Sequence, residues 1–244
     1  MDCSQMNCTI NISELMIDES LKNYIETGIL PLYDGFDAAH QRNHVEMVIK
    51  QSMVISADLN VDMNMVYTIA AYHDTGLTVD RKTHHIVSGK IVREDMWLRD
   101  WFNEEQIEAI AQACEDHRAS SDHEPRSIYG KIVAEADRFI DPDTIILRTV
   151  QYGLANYPEL DNDGHWQRTL DHLHEKYAEG GYLHLWFENS PNVARLNALR
   201  EIIKDERLLR EKFDYLYDTL SHPHLIGCTC PQCQPTKYKK VYEY

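Results

Sequence analysis

Apolar side chains recur three and four positions apart along most of this sequence, and this spacing constrains the fold more than any other feature. It places them on one face of an α-helix, whereas a half-buried strand would show strict alternation. Residues that interrupt helices are few, with 10 Gly and 8 Pro among 244 residues. The sequence therefore predicts an all-α protein.

Several helix starts can be located from their capping residues. Asn103 and Gln106 have the spacing of a capping box, in which each side chain accepts a hydrogen bond from the backbone N–H of the other residue. Asp141 and Ser190 each precede a proline, so a capping side chain stands before a first helical residue whose missing N–H costs nothing. These signals divide the sequence into separate helices.

Composition and helix signals together suggest how the chain is organised. We predict an N-terminal lead-in helix within residues 1–33 and a helical core over 34–140. Further helices over 141–220 are expected to complete the same globule. Residues 221–244 are rich in Pro, Cys, Lys and Tyr and are predicted to form a loosely attached tail.

The charge balance limits the partners that we expect. Lys and Arg total 24 against 40 Asp and Glu, which gives a formal net charge of −16. This field repels nucleic acid and anionic membranes, so bulk binding to either is not expected. No stretch approaches the ~20 apolar residues of a membrane span, and the first residues do not resemble a signal peptide. We therefore expect a cytoplasmic protein.

A phosphorylated partner therefore has to bind to a local positively charged patch. Residues 81–93 carry four cationic side chains and no acidic one. This segment is the candidate patch, although a solvated basic helix face explains the same composition.

The six cysteines do not indicate a disulfide framework, because a chain of this length can bury a core without covalent staples. Two histidines and three cysteines crowd the C-terminus: His222, His224, Cys228, Cys230 and Cys233. They match a structural zinc site in composition but lack the doubled Cys-x-x-Cys spacing. A reduced tail without metal is the alternative.

Histidines and aspartates recur on apolar helix faces in the order His44, His73-Asp74, Asp137. The central pair ends the apolar run 66–72, where a helix is expected to stop. A carboxylate buried without a partner costs several kcal/mol, so imidazoles gathered beside it indicate a shared cation. This ligand set suits Zn²⁺, Fe²⁺, Mn²⁺, Co²⁺ or Ni²⁺ without selecting among them.

This ordered series resembles the HD-domain superfamily of metal-dependent phosphohydrolases over residues 34–140. Segments 129–138 and 174–182 are also similar to uncharacterised HD-domain proteins. The resemblance implies an HD-domain helical bundle with additional C-terminal helices, in which metal-activated water hydrolyses a phosphate ester. It further implies that one divalent metal is bound by the family's counterparts, here His44, His73, Asp74 and Asp137.

The resemblance also suggests a second metal ion. In members with two metals a histidine stands four residues before a glycine, as His85 does before Gly89, and His117 is a further histidine at a helix end. Asp74 would then bridge the ions and be the catalytic residue. His84 is an alternative to His85, and a pocket role for His85 and His117 without metal is the other interpretation.

One position departs from the family. Some nucleotidase members carry a Glu four residues after the His of the pair, where this chain has Leu77, and Asp80 is the nearest carboxylate downstream. Three interpretations follow: the metal activates water unaided, Asp74 assists, or the reaction is not nucleotidase chemistry.

Cationic side chains near the predicted ligands are candidates for holding the substrate phosphate. Guanidinium grips phosphate through two parallel hydrogen bonds, which favours Arg118 and Arg138. Lys131 and Lys82 are further candidates for substrate binding. A structural ion pair is the competing interpretation for these side chains.

The functional hypothesis is a phosphohydrolase with one or two divalent transition-metal ions that acts on a small phosphorylated compound, with a nucleotide as the leading candidate. Two alternatives stay open. Some HD-fold proteins with four His and two Asp hold a mixed-valent di-iron centre and are oxygenases. A non-catalytic module that binds a nucleotide is the other alternative, which the leucine at position 77 leaves open.

Overall fold

A computed structural model of the chain describes residues 17–37, 40–118 and 123–221. These residues form ten α-helices and contain no β-strand, which confirms the all-α prediction. The helices are α1 (Glu19–Tyr24), α2 (Arg42–Ser56), α3 (Met63–Tyr72), α4 (His84–Glu94), α5 (Glu104–Asp116), α6 (Ile128–Asp137), α7 (Pro142–Asn156), α8 (Asn162–Tyr177), α9 (Pro191–Lys204) and α10 (Glu206–Ser221). None of these helices is long and apolar enough to cross a bilayer.

The predicted helix starts are confirmed by their hydrogen bonds. Asn103 and Gln106 exchange both bonds of a capping box at the start of α5. Asp141 accepts from the Thr144 N–H at the start of α7, and the Ser190 hydroxyl accepts from a backbone N–H in the first turn of α9. Local side-chain chemistry therefore determines where these helices begin.

Contacts within the chain define two compact units. The first contains the described residues up to Phe139 together with Leu185–Ala194, and the second contains those of Ile140–His184 and those from Arg195 onward. The assignment of residues 141–220 to the same globule as the core stays a prediction. The first part of the predicted lead-in helix and the C-terminal His/Cys cluster lie outside the described residues.

Helix α3 is the centre of the first unit. It packs against α2, α5 and α6, and every residue from Met65 to Tyr72 is buried. A helix that is apolar on all sides belongs in the interior of a protein. The C-terminal end of α3 therefore lies inside the unit.

Residues 185–194 join the first unit through a buried glutamate of α6. The carboxylate of Glu135, which is fully buried, accepts from the backbone N–H groups of Trp186 at 2.5 Å and Phe187 at 3.3 Å. Its backbone carbonyl accepts from the amide of Asn192 at 2.8 Å. These bonds attach a sequence-distant segment to the helix that carries Asp137.

In the second unit α7, α8 and α10 pack on one another. The rings of Trp166 and Phe213 lie 5.4 Å apart, and the Arg210 guanidinium lies 5.2 Å from the Trp166 ring. Lys212 forms an ion pair with Asp143 at 2.7 Å. Aromatic packing and ion pairs thus join these three helices.

Replacement of Glu135 tests the attachment of residues 185–194. Glu135→Ala leaves two backbone N–H groups without their acceptor, so we expect it to lower the free energy of unfolding by about 2–4 kcal/mol. Glu135→Gln keeps an acceptor oxygen and should cost less, and the exposed Glu188→Ala serves as the matched control. Urea denaturation measures the free energy of unfolding of the three variants. Equal stability of Glu135→Ala and Glu188→Ala would contradict the role of Glu135 in attaching residues 185–194.

Candidate metal centre

The end of α3 is stabilised by side chains. The last four carbonyl groups of an α-helix have no partner within the helix. Here each accepts a hydrogen bond from a side chain: Ile69 from the Cys114 thiol at 3.8 Å, Ala70 from His73 Nδ1 at 2.7 Å, Ala71 from the Tyr33 hydroxyl at 2.9 Å and Tyr72 from the Thr75 hydroxyl at 2.8 Å. The helix can therefore stop inside the first unit, and it presents His73 and Asp74 there.

The four side chains predicted to hold one metal lie together. His44 Nε2 is 3.3 Å from His73 Nε2 and 3.2 Å from Asp137 Oδ1. Asp74 Oδ2 is 3.5 Å from His44 Nε2 and 3.3 Å from His73 Nε2. Helices α2 and α6, together with the two residues that follow α3, thus supply a first cluster of two imidazoles and two carboxylates.

A second cluster surrounds the other oxygen of the same aspartate. Asp74 Oδ1 is 3.3 Å from His84 Nε2 and 3.4 Å from His117 Nε2, and the two Nε2 atoms are 3.2 Å apart. Asp74 therefore offers one oxygen to each cluster, the arrangement of a carboxylate that bridges two ions.

The expectation that His85 contributes to a second metal site needs correction. Among the described residues, the second cluster contains His84, the alternative residue, and not His85. Consecutive residues of a helix point about 100° apart, so only one of this pair can face Asp74. The His85 ring lies 5.6 Å from that of His84, and burial together with the Arg118 charge lowers its pKa to about 4. A pocket role for a neutral His85 stays a prediction.

A recurring hydrogen bond orients three of the imidazoles. In His73, His84 and His117, Nδ1 contacts the backbone carbonyl three residues earlier, at 2.7, 2.8 and 2.6 Å respectively. The Nδ1–H donates to that carbonyl, so Nε2 of each ring is directed toward Asp74 and is the nitrogen that can bind a metal ion. Lone pairs and carboxylate oxygens at these distances repel one another unless a metal ion or a proton lies among them. The donor set therefore fits divalent metal ions.

The pKa values describe the same groups without a metal ion, when protons take the place of the cation. Burial opposes ionisation of Asp74, but the surrounding imidazoles, His73 first, hold the pKa of its carboxyl well below its usual range. Burial likewise opposes protonation of His44, yet Asp137 and Asp74 outweigh it and raise the pKa of His44 to about 9. The carboxylates are thus ionised and surrounded by groups that bind cations or protons.

Gly76 allows His84 to approach. A Cβ at this position would lie 2.0 Å from the carbonyl oxygen of His84 and 2.8 Å from the Ser88 nitrogen. The Gly76 N–H also donates to the Ser88 hydroxyl at 2.9 Å. The first turn of α4 can therefore pack directly on the turn after Asp74 only because residue 76 has no side chain.

The residues predicted to bind substrate lie outside both clusters. Arg118 donates to the backbone carbonyl of Lys82 at 3.1 Å. Lys131 forms an ion pair with Glu124 at 2.7 Å, and the Arg138 guanidinium lies 4.6 Å from the Trp186 ring. Their contact with a substrate stays a prediction.

Some family members have an additional acidic residue, for which Leu77 and Asp80 are the positions to consider in this chain. Neither residue belongs to the clusters. Leu77 is half-buried, and Asp80 accepts hydrogen bonds from the backbone N–H and the hydroxyl of Thr83, at 2.9 and 2.7 Å. Asp80 therefore stabilises the turn that precedes α4.

Substitution of Gly76 should affect the second cluster and leave the first unchanged. Gly76→Ala must displace the start of α4, so we expect the protein to lose about one metal ion per chain, the one at His84 and His117. Gly28→Ala is the control, because its added Cβ meets only an ordinary contact at 3.9 Å. Elemental analysis measures the ratio of metal to protein; full metal content in Gly76→Ala would contradict the role of this close packing.

Comparison with known proteins agrees with the geometry. The family profile of the HD domain matches residues 42–140, which include every donor of both clusters. No curated protein and no solved structure matches the chain. Residues 42–140 of this chain are therefore similar to the HD domain, which agrees with the resemblance seen in the sequence.

Proposed function

We propose that this protein hydrolyses a phosphate ester of a small phosphorylated compound, with a nucleotide as the leading candidate. The observation that carries the proposal is Asp74, which presents one oxygen to each of two histidine clusters. A bound divalent ion lowers the pKa of a water ligand from ~15.7 to about 7 and so supplies a nucleophile at neutral pH. One ion would be held by His44, His73, Asp74 and Asp137, and a second by His84, His117 and Asp74.

Asp74 is the proposed catalytic residue. Its carboxylate is buried and ionised, and it contacts imidazoles on both sides. Leu77 provides no acid, and Asp80 is bonded to Thr83. The chain's own contribution to orienting the attacking water is therefore assigned to Asp74.

Cations beside the second cluster are proposed to bind the phosphate. Arg118 follows His117 directly, and among the described residues its guanidinium donates one hydrogen bond, to the Lys82 carbonyl, of the five that it can make. Lys82 itself is exposed. Both are proposed to contact the non-bridging oxygens of the substrate, and Lys131 and Arg138 are further candidates.

A panel of phosphate esters tests this function. Purified protein supplied with Mn²⁺, Co²⁺ or Ni²⁺ should release phosphate, and His73→Ala and Asp74→Ala should abolish the release because each removes a ligand. The exposed His174→Ala, outside both clusters, is the matched control. Unchanged turnover in the two ligand variants would refute the mechanism, and nucleotide binding without product would select the non-catalytic alternative.

A second candidate is favoured by the composition of the clusters. Together they contain four histidines and two aspartates, the set that the mixed-valent di-iron alternative requires. EPR of aerobically purified protein separates the candidates. A mixed-valent iron signal that changes on addition of substrate would select oxygenation, whereas phosphate release without this signal supports the hydrolase.

A further inference from the structure

The hydroxyl of Tyr33 lies at the junction between α3 and the shared aspartate. Tyr33 is fully buried and belongs to the turn Leu30–Gly35, upstream of the matched HD-domain range. Its O–H donates to the Ala71 carbonyl at 2.9 Å and accepts from the Asp74 backbone N–H at 3.3 Å. One side chain thus joins the last turn of the helix to the residue that belongs to both clusters.

We propose that Tyr33 is a positioning residue that fixes the Asp74 peptide so that each carboxylate oxygen faces its own cluster. This inference rests on the metal centre of the proposed function and not on the reaction carried out there.

The hydrogen bonding at the helix end supports this role. In a continuing helix the Asp74 N–H would donate to the Ala70 carbonyl, four residues earlier. That carbonyl instead accepts from His73 Nδ1 at 2.7 Å, and the Asp74 N–H donates to Tyr33. The bond that orients the His73 ring and the bond that holds the Asp74 peptide are therefore parts of one arrangement.

Loss of the hydroxyl would affect the backbone more than the packing. The Tyr33 ring packs 5.1 Å from the Phe36 ring and 6.4 Å from the His73 ring, contacts that phenylalanine preserves. Tyr33→Phe instead removes the partner of two buried backbone groups, a carbonyl and an N–H. Groups left without partners in the interior are costly, so the backbone at Asp74 is expected to shift.

Because Asp74 belongs to both clusters, a shift of its backbone can be distinguished from the loss of a single ligand. A shift of the shared carboxylate changes both clusters, whereas His84→Ala removes a donor from the second cluster alone. Tyr72→Phe is the control for a general loss of stability, because Tyr72 is equally buried and its hydroxyl donates at 2.5 Å to Asp95. Of these three variants, only Tyr33→Phe should weaken the binding of both ions.

Co²⁺ alone is the probe. Full-length protein is freed of metal with a chelator and titrated with Co²⁺, and its visible absorption bands and dissociation constants are recorded. Wild type is expected to bind two ions. Tyr33→Phe should weaken both by about tenfold or more, as loss of a group that orients a ligand does, and should shift the absorption bands. Tyr72→Phe should reproduce the wild-type titration.

The outcomes separate the two proposals. If wild type binds no Co²⁺, the metal centre and the proposed function both fail. If wild type binds two ions and Tyr33→Phe binds them with the same constants and spectrum, Tyr33 does not position Asp74. If Tyr33→Phe does not fold, Phe36→Leu is the second variant, because it loosens the packing of the Tyr33 ring and keeps the Tyr33 hydroxyl. Weaker binding of both Co²⁺ ions by Phe36→Leu supports the positioning role of Tyr33. Unchanged binding overturns it.

Discussion

The arrangement on which the centre depends is the termination of α3 inside the first unit. A buried helix end must satisfy four carbonyl groups without water, and unsatisfied buried carbonyls are costly. The side chains that satisfy them come from three regions of the chain: Tyr33 upstream, His73 and Thr75 at the helix end, and Cys114 on α5. Because these bonds fix the helix end, they also fix the couplet that follows it.

Helix ends also contribute to the electrostatics of the centre. His73 and His117 stand at the C-terminal caps of α3 and α5, and Asp137 is the last residue of α6. The C-terminal end of a helix carries partial negative charge and favours cations. Three such ends add negative potential to that of the Asp74 and Asp137 carboxylates, whereas His44 and His84 lie in the first turns of α2 and α4, whose N-terminal ends carry partial positive charge. The two carboxylates are therefore the main source of the potential that favours a cation at this place.

Features that depend on neighbours in sequence were predictable, whereas those that depend on distant packing were not. The capping box of α5 and the placement of His73 and Asp74 at a helix end follow from local patterns. The choice of His84 over His85 depends on the packing of α4 against Gly76, which spacing alone cannot reveal. The bonds from Glu135 to residues 185–194 likewise join segments that no local signal connects.

The two clusters differ in a way that bears on the proposed reaction. Among the described residues, the first has two carboxylates and two imidazoles, whereas the second has two imidazoles and one oxygen of the shared Asp74. Catalytic metal sites keep coordination positions open for water or substrate, and the second cluster, with fewer protein donors, provides more of them. Arg118 follows His117 directly and donates to the carbonyl of Lys82, two residues before His84. In a chain of net charge −16, we therefore propose that the anionic substrate of the proposed function binds beside the second cluster.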